Sequence, residues 1–205
     1  MNAREHDEER DAGITMIEMV VVMAIMSVLM VLFTSSVVTI YRTFNKVDAT
    51  NAAQEQVNNV FLRLDKEVRY AQAVSTPLIG TTVSAVEYMM APPPGVSNPT
   101  CVQLRLRTDT GQLQQRSWVD GTTPSGGWVT LLSGVAPAKD GVTTKPAFSL
   151  VTPSAEQDYQ RLRLNFTTTG GGAGGSTSRI TDITFTALNT TGTSPTGLCN
   201  ERTGL

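Results

Sequence analysis

Among 205 residues, few side chains are of the kinds that do chemistry. The most unusual is a carboxylate among apolar neighbours. Glu18 is the only formally charged residue from Ile14 to Ile40, and a lone glycine, Gly13, stands five residues before it. A carboxylate in the middle of a membrane costs on the order of 2.5–3.5 kcal/mol, so such a group calls for a cation as partner. The single histidine, His6, lies in a leading acidic piece, where residues 1–13 carry two arginines against five acids. Without that piece the chain has no side chain for a His-based triad or a His-ligated metal. Cys101 and Cys199 are too far apart for CxxC chemistry. They suit one disulfide in an extracytoplasmic compartment, and otherwise two buried free thiols.

The remaining candidates are dispersed. Asp109, Asp120, Asp140, Glu156 and Asp182 are scattered along the chain, and Asp120-Gly121 and Asp140-Gly141 read as turns. Their spacing is not that of a calcium loop. The tract "TTTGGGAGGSTS" lacks the Lys-Ser/Thr of a phosphate loop and reads as a flexible hairpin connection. Trp118, Trp128, Tyr88 and Tyr159 read as core and edge residues, with an adhesive or carbohydrate-binding surface as the alternative. No catalytic residue, cofactor or metal is expected. The net charge of −2, without a basic stripe, gives no indication of a nucleic-acid partner.

The elements that would hold these groups are legible in outline. Ile14 to Ile40 is 27 residues, roughly 40 Å of helix, whereas a bilayer core needs about 20 residues. This reads as a membrane-spanning helix over 14–40. The acidic start, the long apolar run and the lack of a small-residue cleavage site beyond Phe33 argue against an ordinary secretory signal. From Val47 the apolar residues Val57, Val60, Phe61, Leu64, Val68, Ala71 and Val74 recur at steps of three and four, with Thr50 and Ala53 between. The opposite face carries Asp48, Asn51, Gln54, Glu55, Asn58, Arg63, Lys66 and Glu67. Pro77 and Gly80 are the first stop signals. The spacing predicts an amphipathic continuation over 41–75. Beyond it, "TVSAVEYMM", "CVQLRLR", "QLQQRSW", "WVTLL", "AFSLV", "QRLRLNF" and "ITFTAL" read as strands of a β-rich domain over 76–205, with "APPPG" and "TTPSGG" as loops.

"GITMIE", Gly13 to Glu18, resembles the cleavage and methylation motif of type IV prepilins and type II secretion pseudopilins. The resemblance implies a leader over 1–13, cut between Gly13 and Ile14 by prepilin peptidase, with N-methylation of Ile14. Glu18 then becomes the fifth mature residue. It would pair with an α-amino group at the mature N-terminus and set register during assembly, where an unpaired charge is costly. Ile14 stands where phenylalanine is usual, and the leader is acidic where many are basic. Arg4 and Arg10 before the span balance Arg42 and Lys46 after it, so the positive-inside rule gives no orientation. A cytoplasmic leader and an extracytoplasmic C-terminal domain follow from the resemblance alone.

"LRLDKEVRYAQAV", "GQLQQRSW", "VTLLSGV" and "FSLV" are similar, in that order, to the core of J-type minor pseudopilins. The implied fold is α+β and type IV pilin-like, a long N-terminal helix packed on antiparallel sheet. The implied function is a minor pilin or pseudopilin, a structural subunit and not an enzyme. Its partners would be prepilin peptidase, other pilins, the assembly platform and membrane lipid. The alternative is a signal-anchored, single-pass extracytoplasmic protein that binds a ligand or adheres.

Overall fold

A computed structural model of the chain describes residues 14–92, 94–95, 97–124, 127–151, 153, 158–172, 175–190 and 199. One helix, α1 (Met16–Arg69), is followed by twelve strands. These are β1 (Ala71–Val74), β2 (Leu78–Ile79), β3 (Val83–Met90), β4 (Thr100–Arg107), β5 (Gln112–Val119), β6 (Val129–Ser133), β7 (Val135–Pro137), β8 (Lys139–Asp140), β9 (Thr143–Thr144), β10 (Phe148–Val151), β11 (Gln160–Gly172) and β12 (Gly175–Ala187). The chain divides into two compact units between Phe44 and Asn45, inside α1.

Neither Pro nor Gly occurs from Ile14 to Thr76, so nothing breaks the helical hydrogen-bond ladder. In the first unit Met16 to Phe33 presents its large apolar side chains uncovered, with Met16 91% and Phe33 68% exposed. Helix residues from Met16 to Asp48 are long and apolar enough to cross a membrane, and none of the apolar window is buried. In water such a surface would be strongly unfavourable; in lipid it is the appropriate one.

In the second unit α1 packs through Val57, Val60, Phe61, Leu64 and Val68 onto two antiparallel sheets. The larger has six strands in the order β1-β3-β4-β5-β6, with β2 beside β3. The smaller has β10-β11-β12, with β7 also on β11. Alternation decides the faces: Val102, Leu104 and Leu106 of β4 point into the core with Tyr88 and Leu113, and Leu162, Leu164 and Phe166 of β11 do so with Phe185. Phe61 meets Phe185 with ring centroids 5.5 Å apart, an aromatic contact that fixes helix to sheet. Gly134 carries the chain from β6 to β7. Its φ is +68°, and an added Cβ would lie 2.7 Å from the Thr169 carbonyl oxygen. Only glycine fits that conformation and approach.

Two expectations need correction. The helix ends at Arg69 and not near residue 75, because Ala71 and Val74 belong to β1, paired with Met90 and Tyr88 of β3. Their apolar spacing of three residues fits either a helix face or the buried ends of a bulged strand, and the sheet supplies the partner. The tract "TTTGGGAGGSTS" is not a loose connection. Thr167 to Gly172 pair in register with Ile180 to Gly175, leaving only 173–174 outside the described residues. Backbone pairing needs no side chain, so the glycines do not prevent the ladder from continuing.

Candidate functional site

At the head of α1, Thr15 has a local role that the residue pattern did not single out, capping the backbone of Glu18. The Glu18 backbone N–H donates to Thr15 Oγ1 at 3.3 Å, and to the Thr15 carbonyl at 3.1 Å. Thr15 is therefore the N-cap and Glu18 the third helical residue, the spacing of a capping box. The signal was present as T-x-x-E. A carboxylate in the first turn is also favoured by the helix dipole. Ile14 is 70% exposed just before the cap. Gly13 lies outside the described residues, so only one side of the expected cleavage position is defined.

Cys101 and Cys199 are joined by a disulfide with Cα atoms 5.8 Å apart. The bridge packs with Trp118, Ala73 and Met89 in a small second core on the face of the larger sheet away from the helix. Asp120 Oδ1 lies 3.6 Å from Cys101 Sγ; an oxidised sulfur has no proton to donate, so this is a contact and not a hydrogen bond. The same three residues, Cys101, Asp120 and Cys199, converge closely enough to suggest metal ligands. Both sulfurs are consumed by the bridge, and a disulfide is not a thiolate ligand.

Among the described residues, the acids singled out from the sequence lie apart, each with its own surroundings. Asp109 is paired with Arg107 at 2.5 Å, and that guanidinium holds its carboxyl below the ordinary range. Asp182 is paired with Arg163, likewise at 2.5 Å, with the same consequence. Asp140 reaches Lys145 at 3.0 Å. Gly121 and Gly141 have φ of +81° and +60°, in agreement with the turns read at Asp120 and Asp140. Asp182 is instead mid-strand in β12. Glu156 lies outside the described residues.

The aromatic residues divide. Tyr88 and Trp118 are buried, while Tyr159 is exposed and Trp128 half-buried. Trp128 is covered by two guanidinium groups, Arg105 at 3.6 Å and Arg116 at 4.6 Å from the ring centroid. Burial, then the neighbouring Arg107 and Arg116, lowers the Arg105 pKa, and the ring face offsets part of that cost.

The most developed polar cluster was missed. Glu67, assigned to the solvent face of the helix, turns under the larger sheet with only 18% of its side chain exposed. Its Oε1 accepts from Arg63 Nε at 2.9 Å. Its Oε2 accepts from the Tyr88 hydroxyl and from Gln115 Nε2, the latter at 2.6 Å. Gln115 Nε2 also donates to the Tyr88 hydroxyl at 3.0 Å. Burial, then the adjacent Glu67 carboxylate, pushes the Tyr88 hydroxyl well above its ordinary pKa. The three donors come from β3, β5 and the preceding helical turn, so the cluster is a structural clamp. Helix periodicity could not reveal it, because both Glu67 donors on the sheet are long-range.

Residues 10–34 match the family model of the prokaryotic N-terminal methylation motif. With the apolar helix that follows, this makes the N-terminus prepilin-type and supports the pilin and pseudopilin family. The motif implies processing by prepilin peptidase and assembly with other pilins, and the apolar helix fits a membrane-anchored pilin. The matched residues stop within α1 and say nothing of the J-type subclass. Neither the curated proteins nor the solved structures include one that matches the chain.

Proposed function

We propose that the protein is a minor pilin or pseudopilin, a structural subunit of a type IV pilus or a type II secretion-like pseudopilus. The carrying observation is the methylation motif over residues 10–34 at the head of an uncovered apolar helix. Prepilin peptidase cuts between Gly13 and Ile14, and Ile14 is N-methylated. The new α-amino group and Glu18 then carry opposite charges one helical turn apart, in a low-dielectric environment where each stabilises the other. Pairing with a neighbouring subunit's terminus would fail for a subunit added out of register, because both charges would be left alone. The β-rich unit stands on the extracytoplasmic side, where the Cys101–Cys199 bridge is maintained. The resemblance of "GQLQQRSW", "VTLLSGV" and "FSLV" to the J-type core is what favours a J-type minor subunit.

Mass spectrometry of the membrane-extracted protein tests this directly. A chain beginning at methylated Ile14 is expected, and Gly13→Val should retain residues 1–13. An intact Met1 in the wild-type protein would support a signal-anchored ligand-binding or adhesive protein instead.

A further inference from the structure

Among the described residues the smaller sheet leaves one long edge open beside a cleft. β12 pairs with β11 along its whole length, and no strand pairs with its other edge among the described residues. At its C-terminal end the Leu188 N–H donates to the Arg69 carbonyl at 3.0 Å, which joins that end to the close of α1. Before that point the alternate N–H and C=O groups of residues 178–186 that do not face β11 have no strand partner among the described residues. A sheet edge of this kind is a template for another strand.

Two features distinguish this edge from the shorter free edges of β6 and β10, its length and the cleft behind it. Like them it has no Pro and no Lys, two of the usual edge protections, and its Asp182 is already engaged by Arg163. Behind it lies a cleft of about 260 Å³ between α1 and the inner face of the hairpin, lined by Val57, Asn58, Phe61, Arg179, Thr181 and Ile183 among others. A strand added to β12 would direct alternate side chains into that cleft.

The lining specifies those side chains. Phe61, Val57 and Ile183 offer an apolar wall. Arg179 makes no ion pair among the described residues; its backbone carbonyl accepts from Thr168 Oγ1 at 3.4 Å, while its guanidinium has no carboxylate partner. We propose that the open edge of β12 receives an extended segment of another protein subunit, with apolar side chains facing the cleft and one carboxylate opposite Arg179. The backbone groups supply attraction, and the cleft and Arg179 supply selectivity. This inference rests on the β-rich unit alone and does not depend on N-terminal processing.

The test uses the full chain in detergent micelles and an acetylated nine-residue peptide, Val-Thr-Val-Thr-Glu-Thr-Val-Thr-Val, read by fluorescence anisotropy. Lys in place of the central Glu should weaken binding about tenfold, equivalent to about 1.4 kcal/mol, and Arg179→Glu should invert that preference. N-methylating the peptide amides at odd positions or at even positions should abolish binding in one case and spare it in the other, because a strand offers one set of donors to an edge. Amide exchange at residues 178–186 should slow on binding. Absence of binding at millimolar peptide, equal loss from both methylation patterns, or protection confined to another edge would overturn the proposal. Equal affinity for the Glu and Lys peptides would overturn the role of Arg179.

Discussion

Glu67 and Tyr88 show how much a single half-buried carboxylate can hold. Removing Glu67 leaves the Tyr88 hydroxyl and the Gln115 amide without their acceptor, and Arg63 without its counter-charge. Glu67→Ala is expected to destabilise the β-rich unit by about 2–3 kcal/mol, read as a lower melting temperature by tryptophan fluorescence of the full chain in detergent. Tyr88→Phe added to Glu67→Ala should cost less than Tyr88→Phe alone, because the hydroxyl has already lost its acceptor. Tyr88 also sets a pH dependence. Its folded pKa is raised, so the folded state holds that proton more tightly than the unfolded chain does. The associated stability is complete below the ordinary tyrosine pKa of about 10 and is lost as pH rises through the raised value. An ultraviolet titration should show one component ionising late, and Tyr88→Phe should remove it.

At the scale of elements, the closing end of α1 and the disulfide secure opposite faces of the larger sheet. Leu64 and Val68 are at most 1% exposed against the inner face, while the bridge and Trp118 cover part of the outer one. The bridge spans a sequence separation of 98. Closing a loop of that size removes unfolded-state entropy worth on the order of 4–5 kcal/mol. Reduction should therefore lower the melting temperature and change Trp118 emission, since the indole packs on the sulfurs. Non-reducing peptide mapping of protein from its native compartment should yield one linked pair. Two freely alkylated thiols would contradict the structure.

For the whole molecule, an uncovered apolar helix and a well-packed β-rich unit place two kinds of environment on one chain. Glu18 belongs to the first, and the core of the second draws no residue from before Val57 among the described residues. Glu18→Ala is expected to leave cleavage, insertion and the melting of the β-rich unit unchanged, since it makes the span more apolar and keeps the Thr15 cap. Incorporation into filaments or partner complexes should fall, measured by crosslinking in intact cells. Wild-type incorporation would show that the carboxylate has some other job here.

Local order along the chain was decided by the sequence itself. An apolar run without Pro, Gly or a second charge has only helix available in lipid, and residues 10–34 carry the motif that the family model matches. Period-two alternation in "CVQLRLR" and "QRLRLNF" specified which residues of β4 and β11 enter the core, because a strand has only two faces. The tertiary structure decided what depends on distant partners. It ended the helix at Arg69 by offering β3 to Ala71 and Val74, and it extended the hairpin through the glycine tract by register alone. It turned Glu67 inward to donors on two strands, and it brought Cys199 to Cys101. Apart from the hairpin pairs, which are local, each of these is a contact between residues well separated in sequence, and periodicity carries no information about which distant donor, strand or sulfur will be there.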